Sequence, residues 1–247
     1  MAPLLFFLLF FPSVFANSKE IVPRAELVLG ERVPDIAIKD QYGRVVRLSS
    51  MSEGRVLLLS FIYTKCSSAC PLIVKSIKES LSKVSYKKFQ VVLIDFDLRD
   101  GLEDVERFAK NNNVKDWAVG LVEANDLDRL TKAVDFRFFY DEKTDMFAHP
   151  NVLIILTPDL RISSYILGVK YDPKKLDRMI YAALNGEINV SPIRSLLLKC
   201  FRYDPVTGSY YIDWSFVAML VGGALPIFGM AYYLFIKDLY GLVRRAV

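Results

Sequence analysis

From Trp214 to Ile236 the chain runs 23 residues without a charge, bounded by Asp213 and Lys237. As a helix that length reaches roughly 34 Å, enough to cross a hydrocarbon core of about 30 Å with some tilt. Trp214, Tyr210 and Tyr211 at one end and Tyr232, Tyr233 and Tyr240 at the other suit the two membrane interfaces. Gly222, Gly223, Gly229 and Pro226 are tolerated in such helices. A buried core helix is the competing reading, and a stretch of 23 uncharged residues argues against it. The segment is expected to be a single transmembrane helix in contact with lipid, so the rest of the chain must fold beside a membrane.

The other end is apolar too. Leu4–Phe11 is followed by Val14-Phe15-Ala16, a small-residue pattern that a signal peptidase could cut, although no Lys or Arg precedes the apolar run. Residues 1–16 are expected to be a signal peptide, with an uncleaved anchor and a buried strand as rivals. Lys237, Arg244 and Arg245 follow the helix, against Lys199 and Arg202 before it, a weak positive-inside bias. Both cues put the globular part on the periplasmic or extracytoplasmic side of the cell membrane and residues 237–247 in the cytoplasm. The net charge of +4 comes without a long basic block, so no nucleic-acid surface is expected.

Between these ends, residues 17–187 read as one domain and 188–213 as a connector. Ile36–Ile38 and Val45–Leu48 flank Asp40-Gln41-Tyr42-Gly43, a hairpin signature. Val56–Tyr63 and Phe89–Phe96 are nearly continuous apolar runs, as in strands covered on both faces. Apolar residues at Leu72, Ile73, Ile77, Leu81 and Val84 predict a helix over Pro71–Val84, with Pro71 in its first turn. Helices are also expected at Leu102–Asn111, Leu127–Val134 and Pro173–Leu184, and strands at Trp117–Val122, Val152–Leu156 and Ser163–Leu167. Strands alternating with helices, then a late strand pair and a helix, indicate an α/β fold around a mixed central sheet.

The chemistry concentrates at Cys66 and Cys70, in Tyr63-Thr64-Lys65-Cys66-Ser67-Ser68-Ala69-Cys70-Pro71. A strand delivers one thiol and a helix start the other, where backbone N–H groups lack partners and the dipole end is positive. That setting is expected to lower thiol pKa and favour thiolate, which metal binding and redox exchange both require. Three intervening residues leave a loop that can open around an ion or close as a disulfide. Buried, inert cysteines are the bland alternative. His149, the only histidine, directly precedes the strand Val152–Leu156. Alone it reads as an ordinary loop histidine. In a thioredoxin-like fold that loop, often with a cis proline, lies against the active-site cysteines, and His149 would face Cys66 and Cys70. Two thiolates and an imidazole suit copper, sulfur for Cu(I) and nitrogen to help hold Cu(II). Zinc would want a fourth ligand, and three cysteines are too few for an iron–sulfur cluster.

The run Phe61–Pro71, an aspartate after the next strand (Asp97) and a histidine before the later strand together resemble the Sco/SenC family over roughly Glu31–Gly186. The segment from Cys200 to Tyr210 resembles the connector of bacterial members that end in a C-terminal helix. The resemblance implies a thioredoxin-like fold and a copper ion held by Cys66, Cys70 and His149. It also implies a role in assembling the binuclear copper centre (CuA) of cytochrome c oxidase, whose copper-bearing subunit would be the partner. The family aspartate is often followed by proline, whereas Leu98 follows Asp97, so Asp97 reads equally as a solvated strand-end residue. No cysteine follows the apolar N terminus, and lipidation is not supported.

Two functions follow. A metallochaperone needs an exposed, low-coordination copper site. A thiol–disulfide oxidoreductase, the enzymatic alternative, would use Cys66 and Cys70 as a redox pair on the oxidase copper site or another extracytoplasmic partner. A peroxiredoxin-like peroxidase shares the fold, but its Thr-x-x-Cys context is missing: Thr64 stands two residues before Cys66. Cys200, about 14 residues before the apolar helix, is expected to be an inert or lipid-proximal thiol.

Overall fold

The computed structural model describes residues 21–66 and 69–188, strand backbone at 201–204 and 209–212, and scattered positions between 214 and 233. The expected signal peptide, most of the connector with Cys200, most of the 214–236 segment and the C-terminal tail lie outside the described residues. Among the described residues no helix is long and apolar enough to cross a membrane.

In chain order the elements are α1 (Ala25–Val28), β1 (Ala37–Asp40), β2 (Val45–Arg47), α2 (Leu48–Ser52), β3 (Val56–Ile62), α3 (Ala69–Ser82) and β4 (Phe89–Asp95). There follow α4 (Leu102–Asn111), β5 (Ala118–Leu121), α5 (Ala124–Ala133), β6 (Phe139–Asp141), β7 (Met146–Ala148), β8 (Val152–Leu156), β9 (Ile162–Leu167) and α6 (Pro173–Leu184). β10 (Phe201–Asp204) and β11 (Ser209–Ile212) form a separate antiparallel hairpin.

Seven strands make the main sheet, in the order β2-β1-β5-β4-β3-β8-β9. β3, β4 and β5 run parallel, while β1, β2, β8 and β9 join antiparallel, so the sheet is mixed. β3 lies centrally, and all seven of its residues are buried. A strand covered on both faces cannot alternate, and for that reason its sequence is continuously apolar. Ser60 is the one polar exception, and its hydroxyl donates to Val152 O of the neighbouring β8 at 2.8 Å. Pro173 opens α6, where Asp172 caps the helix by accepting from the Lys174 N–H at 3.2 Å. α6 packs on β3, β8, β9 and α3. Phe61 of β3 stacks on Phe136, just past α5, at 4.0 Å between centroids.

The strands and helices expected from sequence are present within a few residues. α1, α2 and the two short hairpins, β6–β7 and β10–β11, were not legible. α2 is a single turn in which three of the five residues are serine, Leu-Ser-Ser-Met-Ser, too short for a helical period to show. The β6–β7 hairpin pairs only three residues a side, Phe139↔Ala148, Tyr140↔Phe147 and Asp141↔Met146, too few for a period to show.

Candidate functional site

β3 ends at Ile62, and the chain turns so that the Cys66 N–H donates to Tyr63 O at 3.1 Å. Asp100 fixes this turn from the β4–α4 loop. Its Oδ2 accepts from the Thr64 N–H at 3.2 Å and from the Thr64 hydroxyl at 2.6 Å. Its Oδ1 stands 3.2 Å from Lys65 Nζ. α3 then begins at Ala69, which makes Cys70 its second residue. The Cys70 N–H, one of the donors a helix start leaves without a partner, donates to Cys66 Sγ at 3.4 Å.

The structure therefore brings the two cysteines together. Cys66 is 6% exposed and Cys70 fully buried, and neither is in a disulfide. The expectation that the helix start lowers both thiol pKa values needs correction for Cys70. Its thiol is hydrogen-bonded to Cys66, and that bond, with burial and the nearby Cys66 charge, pushes its pKa well up. The arrangement is that of a thiol donating to its neighbour's sulfur.

His149 follows β7 and is buried, with Nδ1 3.1 Å from Pro150 O. No peptide bond among the described residues is cis, so Pro150 does not carry the cis bond frequent at this point of thioredoxin-like folds. The imidazole sits among aromatic rings: Phe96 at 5.1 Å, Tyr63 at 5.7 Å and Phe136 at 6.2 Å between centroids. Tyr63 spans the gap. Its ring meets His149 edge-on, and its side chain is hydrogen-bonded to Cys66. Burial, then the charge of Cys66 and the bond to it, push the Tyr63 pKa up. Tyr63 thus contacts both His149 and Cys66. Among the described residues no group of three or more His, Cys, Asp or Glu side chains is gathered for a metal ion.

Asp97 is engaged by Arg99, which donates from Nε to Oδ1 and from a terminal nitrogen to Oδ2, both at 2.7 Å. Burial would raise the Asp97 carboxyl, but the bonds from Arg99 outweigh it and hold the group below the usual range. The solvated reading of Asp97 does not hold, since its side chain is 1% exposed.

Sequence reasoning missed Tyr63, Asp95, Arg99 and Asp100. The signal for the carboxylates was their density: Asp95, Asp97 and Asp100 at the end of a buried strand are out of place unless partnered. Asp95 lies beside Ile62 in the parallel register and is 1% exposed. Burial, reinforced by the Asp100 and Asp97 charges, pushes its pKa up to about 8. Two sulfurs in contact at the mouth of the sheet form a soft donor pair, which fits copper(I) better than a hard ion.

The SCO1/SenC family model matches residues 33–185, more than half of the chain. The chain belongs to the SCO1/SenC family. Among solved structures similar to this SCO1/SenC protein is one from Aquifex aeolicus VF5 described as an electron transfer protein. It is 38% identical with a TM-score of 0.60, over 64% of this chain and 95% of that one. Arabidopsis thaliana ScoI, solved with copper bound, is 14% identical with a TM-score of 0.54 over 62% of this chain and 98% of that one. BsSco is described as having a disulfide switch and as a member of the Sco family of cytochrome c oxidase assembly proteins. It is 19% identical with a TM-score of 0.54 over 62% of this chain and 94% of that one. At these identities the last two speak to the fold alone. No curated protein matches the chain.

Proposed function

We propose that this SCO1/SenC protein is a membrane-anchored copper chaperone that assists assembly of the CuA centre of cytochrome c oxidase. The observation that carries the reading is the thiol pair, Cys66 and Cys70, hydrogen-bonded to each other at the end of the central strand. Copper is the cargo. It would be held by the two sulfurs with His149 as third ligand, and the description of Arabidopsis ScoI as copper-bound supports that class of ion. The family of BsSco, described as one of oxidase assembly proteins, supports the partner.

Each residue has a defined task. Cys66 accepts hydrogen bonds from the Cys70 N–H, the Cys70 thiol and the Tyr63 hydroxyl, so its sulfur is the better placed to carry negative charge. Cys70 must lose its proton for both sulfurs to ligate, so metal binding releases protons. His149 would turn from the Tyr63 and Phe96 rings to add its nitrogen. A site of two or three ligands leaves coordination positions open to an acceptor's thiols, so copper can pass by ligand exchange. The uncharged segment 214–236 would anchor the domain on the extracytoplasmic face, with residues 237–247 in the cytoplasm and residues 1–16 removed.

A thiol–disulfide oxidoreductase is the second reading, and the same contact favours it. Two thiols already in contact can close to a disulfide, yielding two electrons and two protons to a partner's disulfide, which opens to two thiols. The two readings separate on copper. Titration of the reduced chain should saturate at about one copper per chain. Failure to bind copper, with normal reduction of a partner disulfide, would establish the oxidoreductase instead.

A further inference from the structure

His149 is not carried by the seven-stranded sheet. It follows the β6–β7 hairpin, which pairs as a two-stranded sheet of its own. Such a hairpin has little stability in water by itself, so its position depends on what grips it.

The grip centres on Arg99. Its guanidinium is forked on both oxygens of Asp97 at 2.7 Å. The same group lies 4.6 Å from the ring centroid of Tyr140 in β6 and 5.2 Å from that of Phe147 in β7. It also reaches Asp145 Oδ1, in the hairpin turn, at 3.4 Å, and the Tyr140 hydroxyl donates to that oxygen at 2.7 Å. One side chain therefore touches both strands and the turn while anchored to a buried carboxylate just past β4. Phe147 passes the constraint on. It is two residues before His149, and its ring packs on Tyr63 at 5.3 Å and on Phe96 at 5.2 Å, the rings that meet the imidazole.

We propose that Arg99 is a positioning residue for His149: anchored on Asp97, it clamps the β6–β7 hairpin and so sets where the imidazole stands relative to Cys66 and Cys70. The chemistry demands arginine. A planar fork bonds one carboxylate edge-on while its face covers aromatic rings, and a lysine ammonium cannot do both. The clamp also gives Asp97 a role, as the anchor of the arm that carries the third proposed ligand. The consequence for copper rests on the proposed chaperone reading, whereas the placement of His149 does not.

Because the chain has one histidine, a single imidazole Cε1–H resonance in the NMR spectrum of the full chain reports His149 directly. In the wild type the ring currents of Phe96, Tyr63 and Phe136 should displace it from the free-histidine position. Arg99→Ala should move it back towards that position, and Arg99→Lys should fall between. The Cys66–Cys70 dithiol–disulfide equilibrium constant should change by less than about threefold, because the thiols hang from β3 and α3. Copper affinity should drop about 10- to 100-fold, the usual range for groups that orient a ligand. Should Arg99→Ala fail to fold, Arg99→Lys and Tyr140→Leu decide by the same resonance. An imidazole signal unmoved in the folded variants would overturn the clamp. A wild-type chain that binds no copper would overturn the chaperone reading, and the resonance would still decide the clamp.

Discussion

Cys66 and Cys70 sit on the turn and helix that directly follow the buried strand β3, whereas His149 follows a hairpin outside the main sheet. β3 is buried along its whole length and bonded to β4 on one side and β8 on the other. The hairpin has three pairs, an exposed turn and an arginine clamp. The two regions meet through Tyr63, bonded to Cys66 and edge-on to His149. The difference teaches that the two thiols are fixed by the fold itself and the imidazole by side-chain contacts. In the proposed copper site the thiols would stay in place while the imidazole approaches.

The comparison breaks most visibly at the sulfurs. Cys66→Ser and Cys70→Ser should each lower copper affinity by more than about 100-fold in a chelator competition, since each removes one of the two soft sulfurs of the proposed site. Retention of wild-type affinity in either would mean that copper sits elsewhere.

Unequal rigidity predicts unequal sensitivity to truncation. Leu59→Ala, at a fully buried position of β3, should cost about 2–5 kcal/mol in chemical denaturation. Tyr140→Ala on the hairpin, 43% exposed, should cost about 1 kcal/mol or less. Equal losses would make the hairpin as integral to the domain as the sheet.

The smallest effect concerns Asp95, beneath the thiol turn. Burial raises its pKa to about 8, so the folded protein holds a proton that the unfolded chain releases near pH 4. Between those values the folded state binds more protons, and stability must fall as pH rises. Asp95→Asn should flatten that slope, shrinking the stability difference between pH 5 and pH 6 by about 1 kcal/mol. An unchanged slope would show that Asp95 is ionised in the folded protein.

What was legible in the sequence follows the same division. The strand under the thiols announced itself because burial on both faces forces a continuous apolar run, Val56–Tyr63, and Pro71 marked the first turn of the helix beyond. The hairpin was hidden, because three residues per strand show no alternation and its attachments come from Arg99, about 40 residues away in sequence. Asp97 was misjudged for the same reason: its burial depends on that arginine's fork, which no local pattern encodes. The rise in the Cys70 pKa was equally out of reach. Spacing put the thiol at a helix start, but the bond to Cys66 and complete burial outweigh the dipole.

The central proposal is that the two sulfurs of the β3–α3 junction and the nitrogen of His149, just past the hairpin, hold a single copper ion. Copper titration of the reduced chain, followed by absorption and EPR spectra beside the His149→Ala variant, tests it most directly. The account predicts about one copper per wild-type chain, with nitrogen coupling in the Cu(II) spectrum. In His149→Ala that coupling should vanish and affinity fall at least about 10-fold, while the dithiol still forms its disulfide. Identical stoichiometry, affinity and spectra in the two proteins would contradict it.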